Sequence, residues 1–264
     1  MLFNAAFESG GIKGLAYIGV LKYLEEKGIK INEASGSSVG ALFASLLKAG
    51  YKSGELQNEI ENVNINKLLK KNSFFSAIKN FGFNNIDNLE SELNRLLNNK
   101  GISRFLDVKK GNDYLLKIAV TDYSNKKSIT LPNDYKYMGY NPDNQLISKA
   151  VSMSCSVPLF YSVYKHNDNM YGDGGIVNKF PINVLNKSLP ILAFKISKDN
   201  RKIPFYKNYS DDKLREMNIH VIRINTLDIN SLNFKKGFEK RFELYKSGYI
   251  AVKNYFEKYN KEML

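Results

Sequence analysis

With 264 residues, 43% of them hydrophobic and 25% charged, the chain fits one generous domain with a real core, and its single cysteine, Cys155, excludes an internal disulfide. No apolar run approaches the roughly 20 residues that a membrane-spanning helix needs. Thirty-nine Lys and Arg against 26 Asp and Glu leave a formal charge of +13, which draws the surface to polyanions: nucleic acid or the face of an anionic membrane.

The opening "MLFNAAFESGG" has no basic n-region, long apolar core or cleavage site, which predicts a cytoplasmic protein without a Sec signal. "LFNAAF" (2–7) reads as a buried strand running into the glycine pair Gly10-Gly11. In "KGLAYIGVLKYLEEKG" (13–28), Leu15, Ile18, Leu21 and Leu24 share one helical face, and Gly28 is placed to stop the helix. A short strand at "INEAS" precedes "GSSVG" (36–40), and "VGALFASLLKAG" reads as a helix that Gly50 terminates. Strand–helix–strand–helix is the start of a parallel α/β sheet. Residues 51–100 read as mostly helical and polar, a cap-like insertion. Within it, Lys67, Lys70, Lys71 and Lys79 alternate with Leu68, Leu69, Phe74, Phe75, Ile78 and Phe81, as a segment lying on an anionic bilayer would. "YLLKIAV" (114–120) is a further strand, with "KSITL" (127–131) pairing back across a turn. "QLISKAVSMSCSVPLF" reads as a helix stopped before Pro158, and "YSVYK" and "MYGDGG" as strands joined by a turn at 167–169. "LPILAFKI" (189–196) and "IHVIRIN" (219–225) complete the strands, and 238–259 closes the chain as an amphipathic helix.

Gly36-Ser37-Ser38-Val39-Gly40 has the G-x-S-x-G spacing of a nucleophile elbow. Its small flanking residues permit the strained strand-to-helix turn that exposes a serine Oγ, and the helix N-terminus behind Ser38 favours a developing alkoxide. A serine normally needs an imidazole, and only two are present, His166 and His220. The order Ser38…Asp173…His220 formally fits an α/β-hydrolase triad, but His220 sits in a strand-like run and His166 in a polar turn. A carboxylate can take the role: "YGDGG" (171–175) sets Asp173 at a sharp glycine turn after a strand. "ESGGIKG" (8–14) places glycine amides between a strand and a helix, which suits an oxyanion hole or a phosphate cradle.

Together these segments resemble the patatin-like phospholipase family. "FESGGIKGLAYIGVL" is similar to its glycine-rich first motif, "GSSVGAL" to its nucleophile motif and "DGG" to its catalytic Asp-Gly-Gly. "VTDYSNKKSITL", "ISKAVSMSCSVPLF" and the terminal "YKSGYIAVKNYF" extend the likeness over most of the chain. The resemblance implies a three-layer α/β/α sandwich with a mostly parallel sheet and a Ser–Asp dyad. In it Ser38 would be the nucleophile, Asp173 the base, and the Gly10 and Gly11 amides the oxyanion hole. Lys13, Gly14, Gly36, Gly40 and Gly174 would support them, with no metal or cofactor. Ser9 departs from the pattern, standing where the family has the first glycine of a triplet. The implied activity is hydrolysis of fatty-acyl esters in phospholipids or other lipids. The basic surface suits peripheral contact with an anionic membrane, while mostly lysine charge that is scattered among acids, with no zinc finger, RNA-recognition motif or arginine cluster, argues against a nucleic-acid partner. Two other readings share the fold: a lipid transacylase, and a catalytically silent lipid- or membrane-binding protein.

Overall fold

The computed structural model describes residues 1–61, 86–157, 163–196, 203, 205–206 and 209–263, and elements are numbered among these. The sheet is built on five parallel strands. Across it run β10 (Ile219–Arg223), β9 (Ile191–Lys195), β1 (Leu2–Phe7), β2 (Lys30–Ser37) and β5 (Leu116–Asp122). A two-stranded ribbon, β3 (Lys109–Lys110) with β4 (Asp113–Tyr114), precedes β5. As "KSITL" foretells, β6 (Lys127–Leu131) folds back antiparallel on β5. The hairpin of β7 (Tyr164–His166) and β8 (Asn169–Asp173) adds antiparallel to β5 as well. Asn167 sits in its turn at φ 51°.

Strand periodicity divides the core in two. Phe3, Ala5, Phe7, Leu192, Phe194 and Ile222 face one large apolar cluster, while Ala6, Ile191, Ala193, Ile219 and Val221 face a smaller one. The large cluster is roofed by helices. These are α1 (Ala16–Glu26), α2 (Val39–Lys48), α3 (Ser53–Glu61), α4 (Ile86–Asn98), α5 (Ile147–Ser154) and α8 (Arg241–Met263). The smaller is covered by the segment from Phe180 to Leu185 and by Leu214 of α6 (Asp211–Glu216). The result is an α/β/α layering with one thick and one thin helical side.

The stripe Leu15, Ile18, Leu21 and Leu24 is buried as its spacing predicts, and Gly28 ends the segment at φ +61°. The helix proper starts at Ala16, after a 3₁₀ turn at Gly11–Leu15. The closing segment is two helices rather than one: α7 (Phe234–Glu239) lies against the 3₁₀ turn, where Gly237 meets Ile12, and α8 packs along α1. The lysine–phenylalanine segment 67–83 lies outside the described residues. Among the described residues, no helix is long and apolar enough to cross a membrane.

Candidate active site

Ser38 stands between β2 and α2 at φ 53°, ψ −124°, a conformation that costs a non-glycine residue on the order of 1–3 kcal/mol and survives only where the surroundings enforce it. Two glycines enforce it here. A Cβ on Gly36 would come within 2.1 Å of the Gly40 carbonyl oxygen, and one on Gly40 within 2.2 Å of the Phe7 oxygen. The turn therefore closes against β1 with nothing but backbone between. The N–H of Ser38 donates to Ser154 Oγ at 2.9 Å, and its carbonyl accepts the first helical hydrogen bond, from Leu42, at 3.1 Å.

Strand pairing brings Asp173 to the same place. β2 pairs with residues 116–119 of β5, ending with Ser37 opposite Ala119, and β8 pairs with residues 120–122, ending with Asp173 opposite Val120. β6 runs along 118–122 and so occupies the other edge of β5 against both. The C-terminal ends of β2 and β8 thus meet head-on along one edge. The turn after Asp173 confirms the contact: a Cβ on Gly174 would lie 2.0 Å from Ala119 O and 2.8 Å from Ser37 Oγ. Asp173 is 8% exposed, and burial pushes its carboxyl up from 3.8 to about 6, although the Gly175 N–H donates to Oδ1 at 2.7 Å and pulls the other way. A carboxylate that titrates near 6 is a far better match for a hydroxyl proton near neutral pH than a free aspartate.

The glycine loop completes the convergence. Gly14 abuts Val39, where a Cβ would fall 2.4 Å from Cγ2, and Gly175 abuts Ser9 and Asp173. Gly11 has φ +56° and lies against Ser231, whose carbonyl accepts from the Ile12 N–H at 3.1 Å. Among the described residues the amides of Gly10 and Gly11 donate to no protein acceptor, which is the condition an oxyanion hole requires. Ser9 is not among the residues with positive φ, so serine in place of the first glycine carries no backbone strain. Lys13 sits half-buried in the 3₁₀ turn.

Both histidines are elsewhere and occupied. His220 lies in β10, opposite Leu192, which in turn pairs level with Ala5. It is three strands from β2, at about 4.8 Å per strand, and level with the start of β2's buried half rather than its end. Its Nδ1 is 3.1 Å from the Tyr255 hydroxyl, and it lines a cavity of about 500 Å³ with Arg215 and Glu216. His166 is not a solvated turn residue: its Nε2 donates to Met138 O at 2.8 Å and its Nδ1 accepts from the Tyr140 hydroxyl at 2.9 Å.

The structure adds residues that motif reading passes over. Glu8, fully buried at the entry to the glycine loop, accepts the Ile196 N–H at 2.8 Å and lies 3.5 Å from both Lys179 and Lys195. Burial lowers the Lys195 ammonium while the Glu8 charge raises it. Cys155 borders Ser38 and Asp173, and burial pushes its thiol up to about 12, so it stays protonated. Tyr123 is likewise held as the phenol, pushed up to about 12 by burial and by the Asp173 charge. Within "SMSCS", Ser154 and Ser156 are buried and hydrogen-bonded while Ser152 Oγ has no partner among the described residues, so the serine run by itself singles out no residue.

A family model described as patatin-like phospholipase matches residues 5–186. The Bacillus subtilis protein YqhO is 33% identical over 219 residues, 77% of this chain and 74% of that one. A probable lipid hydrolase, 463L of invertebrate iridescent virus 6, is 24% identical over 242 residues, 88% of this chain and 81% of that one. Among solved structures, VipD from Legionella pneumophila superposes with a TM-score of 0.59 at 14% identity, covering 97% of this chain and 66% of that one. At that identity the likeness speaks for the fold alone.

Proposed function

We propose that this chain, which belongs to the patatin-like phospholipase family and is a lipid acyl hydrolase, cleaves acyl esters through Ser38 and Asp173 alone. The observation that carries the reading is the head-on meeting of β2 and β8, which brings the half-buried Ser38 turn towards the buried Asp173 carboxylate. Ser38 Oγ attacks the ester carbonyl while Asp173 accepts its proton. The Gly10 and Gly11 amides hold the tetrahedral oxyanion, and the α2 N-terminus adds its positive end. Asp173 returns the proton to the departing alcohol or lysolipid, leaving an acyl group on Ser38. A water molecule then gives a proton to the same carboxylate and attacks the acyl-enzyme, and Asp173 passes that proton to the departing Ser38 Oγ as the fatty acid is released. The excess of 39 Lys and Arg over 26 Asp and Glu brings the enzyme to anionic bilayers, where its substrate resides.

The test is fatty-acid release from mixed phospholipid vesicles, read by mass spectrometry. Ser38→Ala should lower turnover by at least ~10⁴-fold and Asp173→Asn by a similar factor, as loss of one member of a catalytic unit does. Release should also fall as anionic lipid is withdrawn. Undiminished release by folded Ser38→Ala protein rules the nucleophile out, and undiminished release by Asp173→Asn rules the base out.

A further inference from the structure

The last turn of α5 touches both halves of the proposed dyad, and the chemistry above gives it no part. Ser154 is fully buried. Its Oγ accepts the Ser38 N–H at 2.9 Å and donates its own hydrogen to Ala119 O at 2.7 Å, at the point where Ala119 pairs with Ser37. Its carbonyl accepts the Gly174 N–H at 3.2 Å, and the carbonyl of Ser156 accepts the Asp173 N–H at 2.9 Å. Ser156 is itself tied back, its hydroxyl donating to Ser152 O at 2.9 Å. One short turn therefore fixes the backbone of the nucleophile and the backbone of the base to each other and to β5.

The Ser38 N–H is an orphan donor at the start of α2, with no partner inside the helix. Ser154 Oγ supplies that partner, and the same hydroxyl is anchored from below by Ala119. A residue at φ 53° and ψ −124° needs such over-determination to persist. We propose that Ser154 is a positioning residue, whose hydroxyl locks the Ser38 backbone in its strained turn and so aims Oγ between Asp173 and the ester carbonyl. The inference rests on the Ser38–Asp173 reading. A misplacement of about 1 Å is enough to cost on the order of 10²-fold in rate.

The experiment is the second-order rate constant of a fluorophosphonate probe, with the stoichiometry of label counting folded sites, alongside kcat and KM on a soluble ester. Ser154→Ala should label to the same stoichiometry but 10–100-fold more slowly, with kcat reduced in parallel and KM within twofold. Ser154→Cys, nearly isosteric and a poorer acceptor, should fall between, and gives the reading if the alanine variant does not fold. The matched control is Ser148→Ala, which removes a buried hydroxyl from the same helix that has no hydrogen-bond partner among the described residues. It should label at the wild-type rate. Wild-type rate constants in Ser154→Ala, or equal slowing in Ser148→Ala, overturn the positioning role. Labelling that persists in Ser38→Ala instead overturns the dyad reading beneath it.

Discussion

The elbow at Gly36–Gly40 and the seam between α1 and α8 both depend on bare α-carbons, and they put them to opposite uses. In the seam, a Cβ on Gly19 would fall 1.7 Å from the Tyr245 carbonyl oxygen, and one on Gly248 would fall 1.9 Å from that of Ala16. The two helices touch backbone to backbone there, and Tyr23 is clasped between Tyr249 and Phe256, at 5.5 and 5.7 Å. None of the seam's residues has positive φ, and the close approach buries apolar surface. In the elbow, equally close approaches hold Ser38 at positive φ beside a buried carboxylate that titrates at about 6. The seam converts tight packing into stability. The elbow converts it into a strained, poorly solvated arrangement that stability alone does not favour, which is how reactive sites differ from cores.

Substitutions should separate the two. Gly19→Val in the seam should have the largest effect on folding, at least about 4 kcal/mol from a side chain driven into backbone, with turnover per folded molecule retained. Urea midpoints with active-site titration check this, and unchanged stability would mean that the helices do not need the close crossing.

In the elbow region the sign reverses. The folded Asp173 carboxyl holds its proton up to pH about 6, whereas the unfolded chain releases it near 3.8. Stability contributed by this group therefore falls as pH rises from 3.8 to 6, and the full penalty applies above that window. A rise of about two units corresponds to roughly 3 kcal/mol at most. Asp173→Asn, which keeps an acceptor for the Gly175 N–H, should gain about 2 kcal/mol at pH 8 and almost nothing at pH 4, while turnover collapses. Denaturant melts at the two pH values decide it: a variant less stable than wild type at pH 8 would contradict the raised carboxyl. Ser38→Gly should gain a smaller amount, about 1 kcal/mol, by relieving the positive-φ turn, again with activity lost.

The same contrast governs what the sequence disclosed. Glycine spacing around Ser38, the Gly10-Gly11 pair and the Asp173 turn were readable because a turn that exposes backbone needs small residues at fixed offsets. The strands of both sheet halves were readable from apolar runs, and β6 and the β7–β8 hairpin from their turns. Gly19 and Gly248 look like ordinary helix interruptions until the two helices are brought together from opposite ends of the chain. Ser154 was hidden for the same reason, since its partners Ser38 and Ala119 lie 116 and 35 residues away. Burial of Glu8 between two lysines depends on β9 and on the loop after Asp173, neither of which is local to it. The rise of the Asp173 carboxyl follows from desolvation, which no local pattern encodes.

A carboxylate raised to about 6 and an ordinary imidazole titrate in almost the same range, so the decisive measurement removes the imidazoles. The rate constant of fluorophosphonate labelling should be followed from pH 4 to pH 8 in wild type and in the His166→Ala/His220→Ala double variant. If Asp173 alone takes the proton, as proposed, both should rise through a single ionisation near pH 6 to the same plateau within about twofold. Loss of that rise in the double variant, with full labelling stoichiometry retained, would show that a histidine is the base and would contradict the account.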